Sequence, residues 1–469
     1  MINSIRFGGC FFAAVTVVVC SGCATSSIFV PYPTQMTPIK RQLSNGDTTQ
    51  VLQELDRHRH DADKVLYLME RGRAAQISGN YQASIDDFKE VINAFKAQDE
   101  KARFTVTGGA ATSAAFFTND NALPYTGQDY ERVFVYQLQA LNYLFVKDVD
   151  AALVEVRRAN LEQQVALEKH GKDIAAAEKK NREALAQNNR FMNSFNSLQD
   201  AAGRVKNSFQ NAYTFYISGL IYEATGNDND AYIDYKKALE IYPENVSVQR
   251  DVLRLARKLS MQDDLEQYSK QYPIEVPRQP PHTGEVVVLF EAGFAPVKHE
   301  IKVPIIGIGR IYAVAFPTYD EAWHVPSSLA VYDSVGHERV GGTEPIVSVQ
   351  ALAAKALHEE LPGMLVRQVF RLVAKRQMAD QSRRAFGDLG ELAMVITNVV
   401  SENADQRSWL TLPNNAQILR GYLPVGQHTL QLQGGGGNSS VAINVAAGKT
   451  TVIRVIETGG TLHSDAVVL

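Results

Sequence analysis

The sequence predicts an α+β fold, with an N-terminal domain of helical repeats followed by an antiparallel β domain that carries an inserted helical pair. Three observations predict it. A helix-turn-helix period of roughly 34 residues recurs in the first half of the chain. A proline-rich break follows, from Tyr272-Pro273 to Pro280-Pro281. Beyond Gly284 the apolar spacing changes from helical to extended, in β-branched and aromatic runs set between turn residues. With 469 residues, 45% hydrophobic and 21% charged, the chain has material for two or three cores. Its formal charge of -4 leaves no general excess of Lys and Arg to neutralise phosphates, which argues against a nucleic-acid partner.

The first residues read as an export signal. Arg6 is the only charge ahead of the apolar run Phe11 to Val19, which is too short to span a bilayer, and the small residues Ser21-Gly22 precede Cys23. All three cysteines, Cys10, Cys20 and Cys23, lie here, so thiol chemistry is absent from the rest of the chain. The run Cys20-Ser21-Gly22-Cys23 resembles a bacterial lipobox, with Cys20 standing where an aliphatic residue is usual. That resemblance implies a signal peptide over 1–22 and a diacylglyceryl group on Cys23, making membrane lipid the first expected partner. Acyl chains contribute about 0.8 kcal/mol per buried CH₂. Ala24 rather than Asp after the cysteine implies sorting to the outer membrane, with the periplasmic side the expected face. Residues 23–45 hold three prolines and no sustained period, and are expected to form a lipidated tether.

The helical repeat domain is expected over 46–272. Its clearest unit is Ala212 to Asn245, where Phe215, Gly219, Tyr222, Ala231, Tyr235, Ala238 and Pro243 fall at the small, aromatic and closing positions of the period. Gly219 inside a helix costs roughly 1 kcal/mol relative to Ala, so a close helix approach at Ala231 is expected to compensate. Leu68, Gly72, Gly79-Asn80-Tyr81, Ser84, Phe88 and Val91 repeat the pattern upstream, as do Tyr136, Ala140, Tyr143, Ala152, Val156 and Ala159. Residues 99 to 132 read as a long loop, and Asp150 to about Gln210 as an extended helical stretch. That stretch either braces the repeats or projects as a partner-binding arm. Val248, Val252, Leu255 and Leu259 suit a closing helix.

After a linker over 273–283 comes the β domain, 284–469. Strands are expected in GEVVVLFEAG, HEIKVPI, RIYAVAFP and SLAVYD, then in SWLTLP, AQILRGYLP, HTLQLQG, SSVAINVA and TTVIRVIE. Helical spacing between them marks the insertion, 348–404. Each half is expected to hold its own core.

The Ala212 to Asn245 unit resembles a tetratricopeptide repeat. Taken with GQDYERVFVYQLQALNYL (Gly127 to Leu144), DAALVEVRRAN (Asp150 to Asn160), GEVVVLFEAGFAP (Gly284 to Pro296) and ADQRSWLTLP (Ala404 to Pro413), the chain resembles an uncharacterised family of Gram-negative lipoproteins with such repeats. The resemblance implies a location and an architecture but no reaction, and it carries a loose association with peptidoglycan synthesis. A protein-protein adaptor or scaffold in the cell envelope is therefore the expected function, with an envelope protein of unknown identity as partner. Two other readings stay open: a glycan-binding or enzymatic envelope protein with an interdomain cleft, and an accessory component of a secretion, pilus or motility machine.

No residues are assigned to catalysis, to a metal or to a cofactor. His58 and His60 lie two apart, which on a helix points them away from each other, and no serine sits in a nucleophile elbow. Gly307-Ile308-Gly309-Arg310 and Gly434 to Gly437 read as turns. Three surfaces remain. Tyr213, Tyr216, Leu220 and Glu223 are expected on the inner face of the repeats, where they either bind an extended partner or pack on a neighbouring helix. Arg367, Arg371 and Lys375 fall at helical spacing and form a candidate stripe for an anionic surface. Asp405, Arg407 and Trp409 suggest an ion pair beside a core tryptophan.

Overall fold

The computed structural model describes residues 30–108, 121, 123–187, 194–276, 278–307, 310–319, 327–334, 338–369, 371–372 and 403–469. Three helical hairpins form the first half: α3 (Lys64–Ile77) with α4 (Tyr81–Gly108), α5 (Asp129–Phe145) with α6 (Val149–Gln187), and α8 (Ala212–Ala224) with α9 (Asp228–Ile241). They are flanked by α1 (Tyr32–Ser44), α2 (Thr48–Asp56), the short α7 (Asn196–Ala202), and a closing pair, α10 (Val246–Lys258) with α11 (Gln262–Gln271). The internal glycines do allow a close approach, although what meets Gly219 is the Tyr235 ring rather than the expected Ala231. A methyl group on Gly72 would stand 2.5 Å from Phe88 Cε1, and one on Gly219 would stand 2.7 Å from the Tyr235 ring. Both rings are fully buried, so each hairpin closes ring against bare backbone.

Two expectations are corrected here. Most of the supposed tether is α1, which buries Tyr32, Met36, Ile39 and Leu43. Those positions form one helical face, and Pro33 sits in the first turn, where a missing N–H costs nothing. The segment expected as a loop from 99 is helical as far as Gly108, and α5 begins at Asp129.

The second half contains β1 (Thr283–Ala292), β2 (His299–Gly307), β3 (Arg310–Thr318), β4 (Ala330–Asp333), β5 (Glu338–Gly342), β6 (Glu344–Ser348), β7 (Asn415–Pro424), β8 (Gly426–Gly434), β9 (Gly437–Val445), β10 (Thr450–Thr458) and β11 (Thr461–Val468). One sheet runs β11-β10-β1-β7-β6, a second runs β5-β4-β8-β9, and β2 pairs with β3. Pairing is antiparallel except between β1 and β10, which run parallel. A helix over 349–369, α12, follows β6. The second helix expected in the insertion falls outside the described residues.

SWLTLP is not a strand. Residues 403–413 cross the inside of the helical array without joining a ladder.

Alternation along the large sheet decides how the halves meet. On β1, Val286, Val288 and Phe290 face the smaller sheet, packing with Leu430, Leu432, Ile443 and Val445. The intervening Val287 and Leu289 face the other way, into one cluster with Tyr213, Tyr216 and Leu220 of α8 and Trp409 of the crossing segment. The expectation of separate cores is thereby corrected, because helices and sheet share one. Residues 273–276 and 278–282 are irregular and mostly exposed and add little to it. Proteolytic cleavage there is expected to leave both pieces in a single particle on gel filtration, with one shared unfolding transition. Recovery of two separately folded fragments would show that the core is not shared.

Candidate functional site

The inner face of the repeats is lined by the first helix of each hairpin, α3, α5 and α8. Each presents polar side chains there, and each of those side chains finds a partner in the same chain. Glu70 of α3 accepts hydrogen bonds from the Leu410 N–H (2.8 Å), the Thr411 N–H (3.0 Å), the Thr411 hydroxyl and the Tyr32 hydroxyl (2.9 Å). Burial with no cation beside it pushes the Glu70 carboxyl up to about 7, although these donors pull the other way. Glu131 of α5 accepts from the Trp409 N–H at 2.7 Å and from the Tyr125 hydroxyl at 2.5 Å, and its Oε2 also closes a capping box on Gln128. Further along the same segment Arg407, only 3% exposed, pairs with Asp63 at 2.6 Å and Asp405 at 2.7 Å. The crossing segment thus lies where an extended peptide would lie in an open repeat groove. Backbone groups that would pair in a sheet bond to carboxylates instead.

Beneath α8 the sheet supplies the cover. Glu291, at one end of the helix-facing side of β1, is fully buried between Arg73 of α3 (2.6 Å) and Arg454 of β10 (2.9 Å). The Tyr213 hydroxyl donates to Glu291 at 3.1 Å, and Gln76 accepts from Arg454 at 3.1 Å. Burial opposes the Glu291 charge, but Arg454 and Arg73 outweigh it and hold the carboxyl at about 2. Glu285, at the other end of the same face, pairs with Arg420 of β7 at 2.6 Å. Arg420 also reaches Glu223 at 2.8 Å and Asp251 at 3.1 Å, and Arg254 of α10 completes the cluster through both carboxylates. Burial alone would raise Glu223, yet Arg420 and Arg254 hold it well below the usual carboxylate range.

The partner-binding role expected for this face is therefore corrected, and the packing alternative is met by the sheet rather than by a neighbouring helix. Tyr213 and Tyr216 are 0% exposed and Leu220 1%, and Glu223 is bound to two arginines. The chain's own β1 and β7 occupy the place of a partner over Tyr213, Tyr216 and Leu220. The basic stripe is corrected as well. Arg371 is buried and Arg367 is half-buried, near the half-buried Glu360, whose carboxyl pKa desolvation raises although Lys298 and Arg367 oppose it, while Lys375 lies outside the described residues. His58 bonds to Asp61 at 2.7 Å and stacks on Tyr67. Asp405, Arg407 and Trp409 form a buried ion pair beside a fully buried tryptophan. Cys23 lies outside the described residues, as do positions 308 and 309 of the Gly307 to Arg310 run.

Sequence reasoning missed Glu70, Arg73, Glu131, Glu291, Arg420 and Arg454. One signal was present: β1 carries a glutamate at each end of one face of an apolar strand, a costly placement unless cations face it.

No family model and no curated protein matches the chain. Solved structures do. One described as "Crystal structure of MamA" is 13% identical over 49% of this chain and 90% of that one, with a TM-score of 0.27. A tetratricopeptide repeat protein from Parabacteroides merdae is 12% identical over 52% and 68%, with a TM-score of 0.29. A TPR2AB-domain:pHSP90 complex of yeast Sti1 is 12% identical over 51% and 93%, with a TM-score of 0.19. At such scores the helical-repeat architecture rests on the chain's own geometry, on Gly72 against Phe88 and Gly219 against Tyr235.

Replacing Glu291 with Gln should cost about 3–5 kcal/mol at neutral pH, since two arginines are left buried without a counter-charge. The folded-state pKa of about 2 lies below the ordinary 4.5. The carboxylate's contribution is therefore complete above about pH 4.5 and is lost as pH falls through about 2. Denaturant unfolding of both proteins at pH 7 and pH 3 should show the gap between them narrowing in acid. A gap independent of pH would contradict the assignment.

Proposed function

We propose that the protein is a lipid-anchored scaffold of the cell envelope, whose partner docks on the outside of the helical array rather than in its groove. The observation that carries this reading is α6. It is 39 residues long, whereas its hairpin partner α5 has 17, and at about 1.5 Å per residue it extends well past the end of α5. Its inner face is committed: Ala152, Val156, Ala159 and Ala166 are buried, and Asn160 bonds Ser218 and Asp234 of the next hairpin. Its outer face carries Leu161 at 58% exposed, Val165 at 50% and Val154 at 42%, which fall on one side of the helix opposite the buried positions. Large apolar side chains held on a rigid helix and left in water suit a protein partner. The inner face serves the bracing role expected for this stretch, and the proposed docking uses the outer face.

Anchoring is supported by the lipobox-like Cys20-Ser21-Gly22-Cys23. Among the described residues no helix is long and apolar enough to cross a membrane. The family resemblance favours an outer-membrane location and a partner connected with peptidoglycan synthesis.

Two experiments test the proposal. Cys23→Ser should move the protein out of the membrane fraction, and retention there in a lipidated form would refute the anchor. Leu161→Asp with Val165→Asp should change stability by less than about 0.5 kcal/mol, because both sites are exposed. A photo-crosslinker in place of Val154, on the same face, should give in intact cells a discrete adduct that the Asp variant loses. Absence of any adduct, or one indifferent to the Asp changes, would remove α6 as the docking surface.

A further inference from the structure

We propose that a cavity of about 500 Å³, where the closing helices, the linker and the sheets meet, binds a phosphate group carried on a larger molecule or a lipid headgroup. Three cations from three separate elements converge on it: Arg257 in the last turn of α10, Arg278 in the linker and Lys449 in the turn between β9 and β10. All three are exposed, and none makes a side-chain hydrogen bond or ion pair with a described residue.

Their neighbours behave differently. Arg254 is paired with Glu223 and Asp251, Arg420 with three carboxylates, and Lys258 with Asp228 at 2.8 Å. The side-chain carboxylates that reach the cavity, Glu223 and Glu285, are already engaged by Arg254 and Arg420, and Leu469 also lines it. The dipole of α10 favours a cation in its last turn and so accounts for Arg257. It accounts for neither Arg278 nor Lys449, which lie on no helix.

Charge and shape select the ligand class. A carboxylate would neutralise one of the three cations, whereas a phosphomonoester carries about -1.5 to -2 at neutral pH and three acceptor oxygens. Guanidinium groups such as those of Arg257 and Arg278 present paired donors that match tetrahedral oxyanions, and Lys449 adds a compact charge. The volume lies in the range of small-molecule sites, so the phosphate is expected to arrive attached to something larger. Tyr422 and Thr450 supply polar wall on the sheet side. This proposal stands apart from the scaffold reading, since it uses none of the α6 surface.

The test uses the full chain and its double variant Arg278→Gln, Lys449→Gln, whose thermal unfolding should match the parent because both sites are exposed. Calorimetric titration at about 0.1 M salt employs pyrophosphate as one probe and dihexanoyl phosphatidic acid, a phosphomonoester lipid used below its micellar concentration, as the other. Saturable binding of at least one probe is expected, weakened about tenfold in the variant and falling with added salt. Tighter binding of the lipid assigns the phosphate to a headgroup, and tighter binding of pyrophosphate assigns it to a soluble compound. The charge-keeping variant Lys449→Arg should retain affinity, which separates charge loss from misfolding. Absence of saturable binding by both probes, or affinity that the Gln variant leaves unchanged, would overturn the proposal.

Discussion

The structure depends on burying two glutamates, Glu285 and Glu291, on the same face of one strand. They lie six residues apart on β1, roughly 20 Å at about 3.3 Å per residue, with Val287 and Leu289 between them. Complete burial of each apolar side chain contributes on the order of 1.5–3 kcal/mol. The ion clusters at the ends contribute much less net stability, because desolvating each charge takes back most of the Coulombic gain. What they add is selection among packings. A shift of β1 by one residue would drive both glutamates into the apolar interior of the sandwich, away from Arg454 and Arg420 on the neighbouring strands. Apolar burial holds the sheet to the helices, and the charges fix where on the helices it sits.

The same division of labour appears where residues 403–413 cross the array. Trp409, Leu410 and Leu412 are fully buried and provide the adhesion. Glu131 takes the N–H of Trp409, Glu70 takes those of Leu410 and Thr411, and Asp63 with Asp405 takes Arg407. A hydrogen bond to a charged group contributes about 1.5–3 kcal/mol, whereas an unsatisfied buried N–H costs a comparable amount, so the segment has one favourable register. The repeats thereby hold part of their own chain as they would hold a peptide. On the scaffold proposal, a partner would have to be met on the outer surface rather than in the groove.

Much of the architecture could be read from local patterns, and what could not is long-range. Gly219 and Tyr235 announce a hairpin because their contact is made within one repeat. The strand of GEVVVLFEAG is legible because alternation and β-branching are properties of a short window. The covering of Tyr213 and Tyr216 is not legible in the same way. Their partners lie some 75 residues or more away in β1 and β7, and an aromatic inner face looks alike whether a partner or the chain itself fills it. SWLTLP has strand composition, and only the carboxylates of α3 and α5 keep it from a ladder. Three prolines hid α1, although the spacing of Tyr32, Met36, Ile39 and Leu43 is helical. β11, reading TLHSDAVV, gave too little apolar alternation to be seen, since it is an edge strand with one side open to water.

The placement of the polar clusters makes the molecule a single body with a sensitive seam. Arg254 and Glu223 belong both to the cluster that docks β7 on the helices and to the wall of the cavity beside it. The walls come from α10, the linker and the turn before β10, so an occupant would touch both halves at once. Any ligand that binds only the docked arrangement stabilises it by RT ln(1 + [L]/Kd), about 2.7 kcal/mol at a hundredfold excess over Kd. That is comparable to one buried apolar side chain of β1. Occupancy at this seam would therefore tighten the junction on which the shared core depends while leaving α6, on the array's outer side, free to hold a partner.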